Sequence, residues 1–513
     1  MAVSRREFFA LLGTAGMAAL TSSRAAQVSA PHVLQAPNTP TPREATGWDP
    51  WLEISTDNLA WNVRQIQARV GKPVMAVVKA NGYGHGLVGV AQTLARAGVK
   101  HFLVAKLDEA RTLRQAGISG MILNFGPFSA ADAEAIIQLR ISQNVYTELV
   151  DALARVAARV NLSAHVHIKV DTGLGRVGAH HERALEFIEH VAGLKGIVLD
   201  GVFTTFTEDP EFDQVQLARF KEVCGRASAR GINVGLRHAA SSDAILNLPA
   251  AYEELDLVRP GIMLYGLYPS EKAEQERKLD LKPVLTLKAR VTYVKTLAPG
   301  ESVSYHRVFT ASEPTRVATL PVGYSDGVPR ALQGKGSVLI GGQRCPILAI
   351  SANAVIARLG QAPAAPGDEA VLIGRQGSEE ILTSEVARLA ESSVYAVAMG
   401  MNPLLPAVYA EPTPESAPLR VRLSSLERWE PVHRIEPEYP PLAKEARIQG
   451  TVKVEAIIAT DGTVRDLRVI SGHPLLVQAA VNAVRQWRFQ PLRLKGALVE
   501  VITLIEVPFR LPR

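Results

Sequence analysis

Residues 73–86 read PVMAVVKANGYGHG. Val74 to Val78 make a short apolar run of the kind that forms a buried strand, and the run ends in Lys79. Glycines at 82, 84 and 86 then let the backbone bend closely around a ligand. A helix-like stretch, GLVGVAQTLARAG, comes next, followed by a second apolar run, HFLVA. Outward from there the alternation continues, with GMILNF, HVHIKV, GIVLDGVF and LDLVRPGIML as apolar runs and ERALEFIEHVAG as a helix-like one. Alternating β and α elements imply a parallel sheet covered by helices, and about eight units between residues 48 and 282 fit a TIM-like (β/α)8 barrel of the α/β class. A lysine at the C-terminal mouth of a barrel strand is placed for catalysis. Desolvation lowers its pKa and frees a neutral amine for a Schiff base with an aldehyde cofactor. On this segment alone, a strand-end lysine reaching out to solvent fits equally well.

The chain has 513 residues, which suggests about three domains. From 283 to 410 the pattern changes to strands punctuated by Gly and Pro, as in GKGSVLIGGQRCPILAI, implying a second, β-rich domain. Residues 411–430, opening with EPTPESAP, read as a linker, and 431–513 as a small α+β unit with its own strands and helix. At the other end, Ser4-Arg5-Arg6-Glu7-Phe8-Phe9 precedes an apolar run from Ala10 to Leu20 that is too short to span a bilayer. Residues 1–30 therefore read as a signal peptide, with an arginine pair that resembles the twin-arginine export signal. The Pro/Thr-rich stretch 31–47 reads as a tether. The expectation is an exported, periplasmic protein with no transmembrane anchor retained after processing.

Hydrophobic residues make up 47% and charged residues 21%, the balance of a soluble globular protein rather than a disordered or multi-span one. The net charge of +6 comes from scattered arginines and not from basic runs, so nucleic acid is not the expected partner. Cys224 and Cys345 lack any C-x-x-C spacing and read as two buried free thiols. Gly173-Leu-Gly-Arg-Val-Gly178 fits the G-x-G-x-x-G dinucleotide pattern, but Asp171 and Thr172 separate it from the strand and Arg176 would crowd a pyrophosphate. Asp171-Thr172-Gly173 is an aspartic-protease triplet without the second copy such a site needs. His180, His181 and His190 lack helical metal-ligand spacing and read as a solvated face, so no metal is expected.

Over residues 48–410 several separate motifs resemble the alanine racemase family of pyridoxal 5'-phosphate enzymes. By that resemblance Lys79 carries the cofactor and serves as one of two catalytic bases, with Tyr305 in ESVSYHR as the other. Two bases are what racemisation requires, because one proton leaves one face of Cα while another arrives on the opposite face. The resemblance also implies that Tyr83, Ser242 in RHAASSDA, and the backbone of Gly261 and Ile262 hold the cofactor phosphate. Arg259 in LVRPGIML would face the pyridine nitrogen and leave it unprotonated, since arginine keeps its own proton. Within KVDTGLGRVG, Lys169 matches a carbamylated lysine and Arg176 an arginine beside the cofactor phenolate and substrate. Tyr324 in LPVGYSDG matches a substrate-side tyrosine. Departures occur where Thr205 replaces an expected histidine, where Ala352 and Asn353 stand for Met and Asp, and where 402–407 (NPLLPA) lack the usual arginines.

Residues 436–513 resemble the TonB C-terminal domain, through Tyr439-Pro440, Gly450 before a strand, Asp461-Gly462 in a hairpin turn and Trp487-Arg488-Phe489 ending a helix. Such a module binds partner segments by adding a strand at a sheet edge, which implies an envelope protein as partner. The leading expectation is thus an exported alanine racemase, acting on a small amino acid as a homodimer with Tyr305 reaching across. Two alternatives stand beside it: a racemase of broad side-chain specificity, and a scaffold that keeps the cofactor without turnover.

Overall fold

The computed structural model describes residues 47–410, 420–422, 431–494 and 497–511. The expected signal peptide and tether up to residue 46, and most of the linker, lie outside the described residues. In chain order the first strands are β1 (Trp51–Ser55), β2 (Met75–Val77), β3 (His101–Val104), β4 (Met121–Asn124), β5 (Ser142–Val145), β6 (Ala164–Asp171), β7 (Ala179–His180), β8 (Ile197–Phe203) and β9 (Leu236–His238). Seven of them form one parallel sheet in the order β2-β3-β4-β5-β6-β8-β9, with the short β7 added to β6. An eighth stave closes it. Leu257 bridges in parallel to His238 and Val258 to Val74, and the amides of Met75 and Val77 donate to the carbonyls of Val258 and Pro260 at 2.8 and 3.1 Å. The result is the TIM-like barrel expected from the alternation.

The staves read as apolar runs because helices cover them on the outside while the barrel fills on the inside. Helix Thr56–Val70 buries Leu59, Val63, Ile66 and Val70 at helical spacing, capped by the Ser55 hydroxyl at its start and by left-handed Gly71 at its end. Helix Pro210–Ala229 starts the same way, with the Asp209 carboxylate accepting from the amides of Glu211 and Phe212. Cys224 lies in this helix, buried and free; Cys345 is likewise buried and free.

The second region carries β10 (Leu285–Arg290), β11 (Tyr293–Leu297), β12 (Ser302–Val303), β13 (Phe309–Thr310), β14 (Thr315–Leu320), β15 (Ser337–Ile340), β16 (Gln343–Ile350), β17 (Val355–Arg358), β18 (Glu369–Gln376), β19 (Glu379–Ile381) and β20 (Ala407–Ala410). Its large sheet runs β11-β14-β17-β16-β15-β18-β10-β1-β20. So β1, which lies in the stretch read from sequence as barrel, belongs to this sheet. It pairs antiparallel with β10 and parallel with β20, Leu52 facing Ala407 and Ser55 facing Ala410. The first strand of the racemase-like portion is thereby stitched to its last, and the barrel's helices begin only afterwards.

The third region holds β21 (Arg420–Arg422), β22 (Gly450–Ile458), β23 (Val464–Ser471), β24 (Arg493–Leu494), β25 (Ala497–Leu498) and β26 (Glu500–Phe509), with helices Pro441–Glu445 and Pro474–Val484. The order β21-β26-β22-β23 makes one sheet. Alternate residues of β22, from Val452 to Ile458, turn inward onto Leu476, Ala480 and Val484 of the longer helix and onto Trp487 and Phe489. The indole N–H of Trp487 donates to the Ile435 carbonyl at 2.8 Å. Gly462 turns the hairpin at φ 82°, where any side chain would strike the Phe489 carbonyl. The segment read as linker departs from expectation at residues 420–422, which pair in parallel with residues 500–502 of β26.

Candidate active site

Lys79 stands just past β2, and the chain then does something L-residues resist. Ala80, Asn81, Gly82, Tyr83 and Gly84 all have positive φ, between 52° and 82°, so the segment is a full turn of left-handed helix. Left-handed helix costs roughly 1–2 kcal/mol per non-glycine residue, so Ala80, Asn81 and Tyr83 together hold several kcal/mol of strain. Other groups pin it. The Glu109 carboxylate accepts from the amides of Asn81 and Ala105 at 3.2 and 3.1 Å, the Asn81 side chain accepts from the Leu87 amide at 3.0 Å, and the Tyr409 hydroxyl donates to the carbonyls of His85 and Gly86. Gly84 is obligatory because a Cβ there would meet the Ala398 carbonyl. Strain concentrated next to a lysine at a barrel mouth is the mark of a functional position.

The turn delivers Tyr83 against Gly261, where a Cβ would lie 2.6 Å from the tyrosine hydroxyl. The Gly261 amide donates to the Ser242 hydroxyl at 3.0 Å, and a 3-10 turn opens directly at Ile262. The first amides of such a turn have no partner within it. Tyr83, Ser242, Gly261 and Ile262 thus converge on one cup of hydroxyls and amides. Tyr83 is buried and stacks on Tyr265 at 5.0 Å.

Arg259 ends the closing stave. It is buried, its guanidinium donating to His238 Nδ1 at 2.7 Å and to the carbonyls of Thr204 and Ala239 at 2.7 and 2.9 Å, with no carboxylate against it among the described residues. Burial lowers its pKa to about 9, which leaves it charged at neutral pH. Burial, the Arg176 charge and the Arg259 charge lower the Lys169 pKa to about 8, against an opposing pull from Asp171. Lys79 is also lowered, by burial first and then by Arg176, with Glu109 opposing. Arg176 itself is exposed at the rim, on a loop whose amides at Gly173 and Gly175 both donate to the Asp171 carboxylate. The three glycines of that loop precede β7 rather than a helix, so the dinucleotide pattern has no helix N-terminus behind it.

Tyr305, Tyr324 and Ala352 do not join this cluster. Tyr305 is 78% exposed, on a bend where Ser304, His306 and Arg307 have positive φ. Tyr324 and Ala352 are exposed neighbours: the amides of Tyr324 and Ser325 donate to the carbonyls of Ser351 and Ala352. One chain of contacts ties that pair to the lysine turn. Helix Val394–Met399 sets Ala398 against Gly84 and Tyr395 beside Tyr83, and Asn402 after it bonds to the backbone of Ser325 and Asp326.

Residues 54–269 match the family model described as alanine racemase, N-terminal domain, and 284–409 its C-terminal domain. An alanine racemase of Carboxydothermus hydrogenoformans is 40% identical over 368 residues, covering 70% of this chain and 99% of the relative. The chain belongs to the alanine racemase family. An alanine racemase of Desulforamulus reducens is 38% identical over 369 residues, covering 70% of this chain and 98% of the relative. Among solved structures, an alanine racemase from D-cycloserine-producing Streptomyces lavendulae aligns with TM-score 0.68 at 31% identity, over 72% of this chain and 99% of that one. One from Clostridium difficile 630 gives 0.67 at 30%, over 71% and 96%. Residues 435–511 match the model described as Gram-negative bacterial TonB protein C-terminal.

Members of the alanine racemase family depend on pyridoxal 5'-phosphate. The residues present fit that group. Lys79, Lys169, Arg176 and Arg259 act on one another electrostatically with few opposing carboxylates, a setting that asks for an anion. Beside them the Thr205 hydroxyl, at the position that departs from the family pattern, is buried without a protein partner among the described residues. His238, which holds Arg259, and Glu109, which holds the lysine turn, escaped the sequence reading. His238 stands within the quoted RHAASSDA motif, whereas Glu109 bonds to a segment 28 residues earlier and leaves no local signal.

Proposed function

We propose that this member of the alanine racemase family interconverts L- and D-alanine by a two-base mechanism, as a dimer, in the cell envelope. The observation that carries the reading is Lys79, a partly desolvated amine that opens the strained turn leading to Tyr83 of the Tyr83–Ser242–Gly261–Ile262 cup, in a barrel that also buries the Arg259 guanidinium. Pyridoxal phosphate held there supplies an electron-withdrawing ring that acidifies the Cα proton of a bound amino acid. The cup's hydroxyls and amides suit its phosphate, and Arg259, which keeps its proton, suits an unprotonated ring nitrogen. Arg176 at the rim suits the substrate side, and Lys169, with its pKa near 8, is open to carbamylation. The Lys79 amine takes or returns the proton on one face of Cα.

Tyr305 serves the other face. A base has to reach the substrate, and Tyr305 in the single chain is exposed and faces no part of the Lys79 cluster, so its working place is against a second copy, together with Tyr324 and Ala352. Lys79→Ala should abolish both cofactor attachment and turnover. Tyr305→Phe should suppress exchange of the Cα proton into heavy water from one enantiomer far more than from the other. Equal loss in both directions sinks the face-specific assignment.

The exposed Ala352-Asn353 pair favours a second reading, a racemase accepting larger side chains, because the alanine methyl takes up less space than the methionine of the family pattern. Racemisation assays across side chains separate the two. Export rests on Arg5-Arg6: a charged cofactor made in the cytoplasm is best loaded before a folded protein crosses, and the lysine double substitution at those positions should strand active protein inside. The TonB-like region supports docking to an envelope partner through strand addition, testable by pull-down with that region deleted.

A further inference from the structure

A line of polar groups runs through the barrel interior from Arg259 towards the opposite end of the staves, and the chemistry proposed above does not use it. His165, His167 and Lys169 alternate along β6, so the period of two sets them in one column. Across β6 and β8 the register runs Val166 to Leu199 and then His167 to Gly201, leaving Asp200 as the extra residue of a β-bulge. Bulges re-aim side chains. This one brings the Asp200 carboxylate to His165 Nδ1 at 2.9 Å and to the Ser142 hydroxyl at 2.7 Å, and Ser142 in turn lies 2.8 Å from His167 Nδ1. Gly201 makes the room, since a Cβ there would stand 2.7 Å from His167 Nε2.

The protons along this line can be assigned from the partners alone. Arg259 can only donate, so His238 Nδ1 must accept, and the neutral His238 ring carries its hydrogen on Nε2. At the far side the Asp200 carboxylate can only accept, so the Ser142 hydroxyl donates to it and must take its second bond from His167 Nδ1–H. His167 Nε2 is then a bare lone pair. Burial keeps both rings neutral, lowering His167 to about 4 and His238 well below the usual histidine range. The two rings lie 5.2 Å apart between centroids, and both Nε2 atoms are buried without a partner among the described residues. One is a donor and the other an acceptor.

We propose that His238 Nε2–H and His167 Nε2 are joined through one buried water, so that Asp200, Ser142 and His167 form a positioning relay. The relay holds the His238 ring through its Nε2–H and thereby the orientation of Arg259 at the cofactor site. Leaving two such atoms unpaired in the core is costly, and the link avoids it. The charged and titratable groups acting on these rings are Arg259 and Asp200, His101 at the head of β3 and His165 at the outer end. This inference rests on the cofactor reading given above.

The test uses the full chain labelled with nitrogen-15 at histidine, its imidazole signals assigned by their loss in His167→Gln and His238→Gln, with and without pyridoxal phosphate. His167 should be protonated at Nδ1 and His238 at Nε2, and Ser142→Ala should move the His167 proton while Ser142→Thr keeps it in place. In the loaded enzyme Ser142→Ala and Asp200→Asn should lower kcat by about tenfold or more with KM little changed, and shift the pH dependence of the cofactor absorbance band. Ser142→Thr should restore both. His238 found without a proton on Nε2, or Ser142→Ala leaving the ring signals and kcat within twofold of the parent, overturns the relay. A parent protein that shows no cofactor band overturns the cofactor reading instead, and the ring signals of the cofactor-free chain still decide the relay.

Discussion

Adding a methyl group at Gly261 tests the cup directly. The backbone there has φ −113° and ψ −91°, and whatever it adds is shared by Gly261→Ala with and without the tyrosine hydroxyl, so the coupling between the two changes is one of space. Its Cβ would lie 2.6 Å from the Tyr83 hydroxyl oxygen and 3.1 Å from the ring carbon bearing it. To regain ordinary contact near 3.4 Å the hydroxyl must retreat by about 0.8 Å. Little room exists for that, because the Tyr83 ring is buried and stacked on Tyr265, whose own hydroxyl is tied to the Val77 carbonyl at 3.1 Å. Overpacking of this kind costs about 1–3 kcal/mol. Tyr83→Phe removes the worse contact and leaves one that a shift of a few tenths of an ångström relieves. The double variant should therefore recover about 1–2 kcal/mol relative to the sum of the single changes. Urea unfolding of the cofactor-free protein measures the cycle, and absorbance titration with pyridoxal phosphate should show Gly261→Ala binding about tenfold or more weakly. Losses that simply add would refute the claim that Tyr83 and Gly261 share one tightly filled cup.

Ala80→Gly should leave stability unchanged or raise it by up to about 1 kcal/mol, the relief of a left-handed alanine set against the entropy of glycine, as read by thermal unfolding. The unfolded chain holds the Lys169 proton up to about pH 10.5 and the folded chain only to about 8, so cofactor-free protein should gain stability as pH rises between those values. Lys169→Met should flatten that rise. His85 and His167 are buried neutral with pKa values lowered to about 4, so the stability they contribute is present above pH 6.5 and lost as pH falls through 4. An acid-unfolding midpoint that stays put in His85→Gln would remove His85 from that account.

The barrel was legible because alternating apolar runs and helical stretches have few other solutions, and Lys79 was legible because it ends one such run. What pairs with what was not. The five residues WLEIS of β1 look like any short strand, and nothing local says that they join β10 and β20 instead of the barrel. The glycines at 82, 84 and 86 announced a bend, yet the positive φ of Ala80, Asn81 and Tyr83 runs against local preference and is imposed by Glu109, Tyr409 and Ala398 from elsewhere in the chain. Asp200 stood in plain view within the run GIVLDGVF, but its turn towards Ser142 and His165 comes from a one-residue slip of register that the sequence does not display. Tyr305 was found through the family pattern, and its exposure explains why no local feature marks it.

The pairing of β1 with β20 also sets an order in time. Some 350 residues separate the two strands, and at a synthesis rate of about 5–20 residues per second β1 must wait roughly 20–70 s for its neighbour. Throughout that interval β1 lacks its outer neighbour, and pairing the two is an end-to-end contact of the kind that makes folding slow. A chain stalled or clipped before residue 407 would thus keep an unfinished sheet however well its barrel had formed. Completion of this unit is a late, all-at-once event, and the last strand to leave the ribosome before the linker acts as its timer.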